Sequence, residues 1–451
     1  MGYRIQAATY NGYLSTINPT QPGAAVADWL GPTLGTTSSS EPPDFFAIGF
    51  QEMIPLHLAL LGLTQVALDA HDHLILEAIE SHAGGKETYT LLAKSVLGGI
   101  ALLVYGRDKT VTGKVVDVRV AKAACGIGRL MGNKGAVGVR VVLEPEEEDE
   151  KTEQEHSGHT VLTFVTAHLA AHDSGLKRRN EDWRTIVERL VFAPGVEGES
   201  QHFSIPEGRR RDVFEALRRK WLPSEPKGVQ IYDTSALFFF GDLNYRISTK
   251  TPTTLPLSTL TTALSPSTLN LPSLLPHDQL THERLSNPPR SLHHLQEGSI
   301  TFPPTYKYKV GTIDTFKSFK SRVPGWCDRI LFATWADGDE GEGAAKVESY
   351  KSIPEFTQSD HKPVTAIISL PRPPTDSAAA GKALRLPWKA PFAIDPSWKQ
   401  KQLIGSAMDR FVGLVWCILV LAGFNKDARI GLGNVLAMAL AAYYRKSLFG
   451  L

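Results

Sequence analysis

Asp242 and Asn244 stand two apart in ALFFFGDLNYRI (236–247), directly after an apolar run from Ala236 to Phe240. A short run of this kind suits a strand buried on both faces. Residues i and i+2 of an extended chain point the same way, so the carboxylate and the amide are expected to leave the strand end together. An Asx-type turn closing a core strand is the plainer alternative. Similar polar residues recur where other strand-like runs stop. AIGFQEM ends in Gln51 and Glu52, FVTAHL ends near His168, and QAATYNG puts Asn11 after the first run. GWCDRIL has Asp328 and Arg329 at a strand start, and TQSDHKPV sets Asp360 and His361 just before the last run. Carboxylate and amide oxygens are hard ligands suited to a hydrated Mg²⁺, and no cysteine-rich zinc pattern competes. Together these groups fit hydrolysis of a phosphate ester, with a metal to stabilise charge, a base for water, and histidines on the phosphoryl oxygens.

The elements that must position them can be read as strands with helices between. RIQAATY, DFFAIGF, GIALLVYG, KVVDVRV, GAVGVRVVLE, TVLTFVTAHL, SALFFFG, DRILFAT and PVTAIISL read as strands, and HDHLILEAIESHA and RRNEDWRTIVERLVF as helices. The mixture predicts an α/β protein whose sheets are covered by helices. Hydrophobic content of 42 % and charged content of 21 % over 451 residues suit a large buried core. A formal net charge of +1 gives no bulk attraction for nucleic acid, so any anion site is local. Cys125, Cys327 and Cys417 lie far apart, which suits a reducing compartment, and MGYRIQAATYNG has no apolar core of a secretory signal. The acidic stretch 144–156 reads as a solvated hairpin loop, and 251–275, biased to Ser, Thr, Leu and Pro, as an insertion without its own core.

The order GFQEM, GNKGAVGVR, TAHLAAH with RRNEDW, GDLNYRI, FPPTYKYK, RVPGWCDRIL and SDHKPV resembles the inositol polyphosphate 5-phosphatases over roughly residues 3–370. The resemblance implies a four-layer α/β sandwich of two mixed sheets flanked by helices, DNase I-like, with an Mg²⁺ cofactor. It implies Glu52 as the principal metal ligand with Asn11 close by, and Asp242 as the base for water, held by Asn244. His168 and His361 are then donors to the phosphoryl oxygens. Asp328 orients the last histidine and keeps it protonated, and Asp360 completes the metal and water site. Tyr306, Lys307, Lys320 and Arg322 match a grip on a 4-phosphate, and Asn133 and Lys134 match contacts to a 1-phosphate. The implied substrate is phosphatidylinositol 4,5-bisphosphate. The sequence departs from the family pattern at Tyr10 for the usual Trp, Lys309 for the usual Asp and Gly325 for the common Ala. The alternatives are a phosphodiesterase of the same fold, nuclease or sphingomyelinase, and a phosphoinositide-binding protein without catalysis.

The catalytic domain is expected at 1–372, a Pro-, Ala- and Lys-rich linker at 373–405, and a hydrophobic tail at 406–451. FVGLVWCILVLAGF (411–424) and VLAMALAAYY (435–444) each fall short of the roughly 20 residues of a bilayer span. A re-entrant hairpin, a short anchored tail and a buried helix pair all fit. The apolar surround and the preceding linker favour membrane attachment. This pattern resembles the tail-anchored, yeast-type members of the family, which implies the cytoplasmic face of the endoplasmic reticulum. The oligomeric state is not readable from the sequence.

Overall fold

The computed structural model describes residues 2–12, 42–82, 86–144, 159–193, 228–248, 255–265, 269–319, 322–337, 345–371 and 384–423, with a few positions between 433 and 440. The strands are β1 (Arg4–Asn11), β2 (Phe45–Gln51), β3 (Tyr89–Leu97), β4 (Ile100–Arg107), β5 (Val115–Ala124), β6 (Gly135–Leu143), β7 (Thr160–His168), β8 (Ala236–Asp242), β9 (Gln296–Glu297), β10 (Asp328–Thr334), β11 (Lys346–Ser352) and β12 (Val364–Ser369). They form two six-stranded sheets, ordered β11-β12-β1-β2-β4-β3 and β5-β6-β7-β8-β10-β9. Both are mixed. Each has one parallel pair, β1 with β2 and β7 with β8, at its centre.

The helices are α1 (Leu56–Leu60), α2 (Thr64–His82), α3 (Leu176–Arg189), α4 (Leu257–Ala263), α5 (Leu271–Leu274), α6 (Gln279–Leu285) and α7 (Trp398–Leu421). The central strands are buried on both faces, as their largely apolar sequences favour. Between the sheets, Phe45, Phe164, Phe238 and Phe240 pack with Val137 and Val139. Outside the second sheet, Trp183, Ile186 and Val187 of α3 cover Val165, Leu237 and Phe239. Outside the first, Leu68, Ile75 and Ile79 of α2 cover Ile48, Phe50 and Leu103. The result is the four-layer sandwich expected.

Three strands escape the sequence reading: β3, β9 and β11. β3 and β11 are the two edges of the first sheet, and β11 (KVESYKS) is partly exposed along most of its length, so it carries no apolar run. The insertion at 251–275 has no separate core among its described residues. Leu255, Leu260, Leu264 and Leu274 are buried in the inter-sheet core, so this segment packs onto the main core. Residues 384–396, inside the stretch expected as a linker, pack on the domain. Leu386 joins the α3-side core, Trp388 stacks on His294 at 4.6 Å, and Asp395 pairs with Arg189 at 3.0 Å. Apolar side chains at two-residue intervals, Leu386, Trp388, Ala390 and Phe392, explain why this segment settles on a surface. Residues 145–156 of the acidic loop lie outside the described residues.

Candidate active site

Register brings the chemistry to one end of the second sheet. His168 ends β7 directly opposite Asp242 of β8, and Asp328 opens β10 directly opposite Asp242 on its other side. Gly135 of β6 stands opposite His168. Gly241 makes this closeness possible. Its φ is +139°, and a Cβ there would come within 2.0 Å of the Ala167 carbonyl oxygen.

Asp242 is the hub. Its Oδ2 accepts from Asn11 Nδ2 at 2.8 Å, lies 3.2 Å from His168 Nε2 and 3.9 Å from His361 Nε2. Its Oδ1 accepts the backbone N–H of Asn244 at 3.0 Å. Burial alone would raise the Asp242 pKa, but His361, His168 and Lys134 outweigh it and hold the carboxyl far below its ordinary range. His361 Nδ1 meets Asp328 Oδ2 at 2.9 Å, and Thr305 Oγ1 donates to that same oxygen at 2.6 Å. Burial would lower the His361 pKa, yet Asp328 and Asp242 raise it to about 9. The ring is an imidazolium at neutral pH.

The strand does not continue through Asn244 as the extended geometry requires. Asn244 has φ +58°, and the Asp242 carboxylate takes its N–H, which closes an Asx-type turn. Asn244 Nδ2 donates to the Leu169 carbonyl at 3.1 Å and its Oδ1 accepts from Arg246. The plainer local structure and the clustering of polar groups therefore coexist.

These groups open on a cavity of about 170 Å³ lined by Glu52, Lys134, His168, Asp242, Asn244 and Arg246. His172, Tyr306, Lys307, Arg322, Asp360 and His361 line it as well. Glu52, with φ +48°, sets its carboxylate 3.7 Å from His168 Nε2. Lys134, expected against a 1-phosphate, lines the cavity with its ammonium on His168 Nε2 in the central cluster. Burial lowers its pKa, with Asp242 and Glu52 opposing. Asn133 is not part of the lining; its Oδ1 accepts the Ile127 N–H at 3.3 Å. Asn11 stands behind Asp242. Lys307 pairs with Asp360, and Arg322 meets His172 Nδ1. Lys320 lies outside the described residues. Lys309 is exposed and does not line the cavity.

Two polar lining residues carried no role in the sequence reading. Arg246 is 2 % exposed, and its guanidinium lies 4.0 Å from the Tyr306 ring centroid. Its place two residues after Asn244 in GDLNYRI was the available signal. His172 has φ +73° and its pKa is lowered by partial burial and by Arg322. It closes the TAHLAAH stretch, but nothing in its spacing says that it turns back to the cavity.

The donor chemistry suits a hard cation. Asp242, Asp328 and His361 each offer a ligand atom, all within 4.8 Å of one another, but the Asp328 and His361 atoms are engaged with each other. The Glu52 carboxylate faces the cavity, and Asp360 Oδ1 is buried without a hydrogen-bond partner. Neither buried cysteine lines the space. An oxygen-rich, thiol-free set fits a divalent cation such as Mg²⁺ or Ca²⁺.

Residues 8–367 match the family described as Endonuclease/Exonuclease/phosphatase family 2. The mouse protein named type II inositol 1,4,5-trisphosphate 5-phosphatase is 28 % identical over 373 residues, covering 82 % of this chain and 30 % of that protein. Human synaptojanin-1 is 29 % identical over 351 residues, covering 73 % and 18 % respectively. The chain thus spans less than a third of the length of these relatives. A crystal structure of the inositol polyphosphate 5-phosphatase domain of SPsynaptojanin, in complex with inositol (1,4)-bisphosphate and calcium ion, matches with a TM-score of 0.57. That match covers 91 % of this chain and 90 % of the other at 24 % identity, and it establishes a common fold.

Proposed function

The chain belongs to endonuclease/exonuclease/phosphatase family 2, and from that premise we propose that it removes the 5-phosphate of phosphoinositides. The chief substrate is phosphatidylinositol 4,5-bisphosphate, the product phosphatidylinositol 4-phosphate, and water attacks in line. The observation that carries this reading is the register of His168, Asp242 and Asp328 across three strands, with His361 held on Asp328. The names of the mouse and human relatives support the same reaction class.

Asp242 stays ionised and aims the attacking water through its carboxylate oxygens. Its depressed pKa makes proton uptake late, which a loose phosphoryl transition state tolerates, because positioning and charge stabilisation carry most of the rate. His361 donates from Nε2 to a phosphoryl oxygen as negative charge builds, while Asp328 keeps its proton on the far nitrogen. His168 and Lys134 supply further donors. Glu52, with Asn11 and Asp360 nearby, would hold Mg²⁺, which when bound neutralises phosphate charge. Tyr306, Lys307 and Arg322, with Lys320, grip the neighbouring 4-phosphate.

We further propose residues 1–372 as the catalytic unit, extended by the packed segment 384–396, and residues 406–451 as the membrane attachment. The segment Trp398–Val420 is long and apolar enough to cross a membrane, which supports attachment as such; the location we propose is the cytoplasmic face of an internal membrane such as the endoplasmic reticulum.

The test is phosphate release by the full chain from short-chain phosphatidylinositol 4,5-bisphosphate, beside the 4-phosphate and 5-phosphate lipids, with Mg²⁺ or with EDTA. Metal-dependent release from the bisphosphate that leaves the 4-phosphate is expected. Release from none of the three by folded protein overturns the reading.

A further inference from the structure

Helix α7 has two unlike faces. Outward, Leu403, Phe411 and Leu414 are 73 %, 68 % and 53 % exposed, with Ile404, Ile418 and Leu419 beside them. Inward, Gly405, Asp409 and Gly413 recur every four residues and form one buried stripe. A Cβ at 405 would come within 2.0 Å of the Leu130 carbonyl oxygen, and one at 413 within 2.9 Å of the Leu61 nitrogen. Only glycine lets the helix lie this close. Between the two glycines, both carboxylate oxygens of Asp409 accept the Gly132 N–H at 3.0 Å. Farther along, the Trp416 ring sits 5.9 Å from that of His57 in α1.

Gly132 belongs to the loop that connects β5 to β6 and ends in Asn133 and Lys134. Lys134 lines the cavity, so Asp409 holds the backbone two residues from a group that touches the central cluster. Ile127 of the same loop is 66 % exposed.

A helix that crosses a bilayer needs about 20 residues in hydrocarbon. For α7 that means pulling Gly405, Asp409 and Gly413 off the domain and leaving a carboxylate without its amide partner in an apolar medium, which is costly. A helix lying in the interface plane needs one apolar face only, and α7 presents one. Trp398 and Lys399 at its start suit the headgroup level, where aromatic rings and long cationic side chains settle.

We propose that α7 lies along the membrane surface while docked through Gly405, Asp409 and Gly413, so that the anchor itself holds the 125–134 loop and Lys134 in place. The docking and the lipid contact stand on their own; the consequence for turnover rests on the phosphatase reading. Asp409 is here a positioning residue.

The experiment uses the full chain with phosphatidylcholine vesicles carrying phosphatidylinositol 4,5-bisphosphate, and the short-chain lipid in solution. Amide exchange at Gly132 is expected to be slow both free and on vesicles. Exchange that accelerates on vesicles means that the helix leaves the domain, and it overturns the docking. The pair Phe411→Glu and Leu414→Glu is expected to weaken vesicle co-sedimentation by about a hundredfold or more, with unchanged turnover of the soluble lipid. Native-like sedimentation of that pair overturns the lipid contact. So does a chain that is dimeric without vesicles and becomes monomeric in the pair, because the face then belongs to a second copy. Asp409→Ala is expected to speed exchange across the 126–134 loop and to lower kcat on the soluble lipid by about tenfold or more. KM should change little, and Asp409→Asn, which keeps an acceptor, should restore most of the rate. Unchanged exchange and kcat in Asp409→Ala overturn the positioning role. Exchange and sedimentation need no turnover, so a native chain that cleaves neither lipid sinks the phosphatase reading while the docking is still decided.

Discussion

Asp328 Oδ2 lies 2.9 Å from His361 Nδ1, and the other ring nitrogen of His361 points to Asp242 at 3.9 Å. One imidazole is thus placed between two buried carboxylates, which keeps it protonated against the cost of burial. This pairing turns a residue that ordinarily titrates near neutrality into a stable hydrogen-bond donor, and it has a measurable pH consequence.

A group whose folded pKa is raised works as its cation below that value and loses the proton as pH rises through it. With His361 at about 9, kcat/KM should hold from neutral pH and fall on the alkaline side near that value. Asp328→Asn removes the main opposing charge, so the alkaline limb should move down towards the ordinary histidine range. A pH–rate profile of both proteins checks this. An unmoved limb in the variant separates it from His361.

Asp242→Asn keeps the size of the side chain and removes the anion that orients water. Turnover should fall by about a thousandfold, with far-UV circular dichroism unchanged. Single-turnover phosphate release measures it.

Arg322→Ala should act on binding. KM for the 4,5-bisphosphate should rise by roughly tenfold to a hundredfold, the loss of one charge-assisted hydrogen bond to phosphate. KM for a lipid with the 5-phosphate alone should barely change. Equal effects on both lipids would place Arg322 outside the 4-phosphate grip.

Glu52→Gln should weaken Mg²⁺ binding, seen by titration calorimetry without substrate, and raise the metal concentration needed for half-maximal rate. EDTA should abolish release from the native chain. The order of these two effects tests the cation assignment independently of the lipid.

Arg329 is fully buried between Asp278 at 3.0 Å and Glu297 at 2.6 Å. Arg329→Met leaves two buried carboxylates without their cation and should cost about 3–5 kcal/mol of stability. Denaturant unfolding checks it. The arginine sits one residue from Asp328, so its loss should also disturb the site.

Much of the catalytic end was legible because strand interiors and strand ends differ so sharply in composition. ALFFFGDLN reads as a core strand that stops at a polar residue, and β8 ends at Asp242. FVTAHL behaves the same way, with β7 ending at His168. Edge strands such as β11 were not legible, because half-exposed positions carry mixed residues. The path through Asn244, extended or an Asx-type turn, stayed open for a related reason. A side chain that bonds to the backbone two residues on competes with the strand, and pattern alone does not say which wins.

What the sequence determined by itself was the alternation of buried strands and covering helices, and which polar residues stand at strand ends. Those are local properties, written in short-range periodicity. Only the tertiary structure decided that His168, Asp242 and Asp328 share one register, and that Lys134 rests on His168 with Asn133 turned away. It also decided that Arg246 and His172 join the cavity, and that α7 docks through two glycines and Asp409. Each of those depends on strand order, sheet registry or the packing of segments far apart in the chain, and no local pattern encodes which distant backbone a glycine will touch.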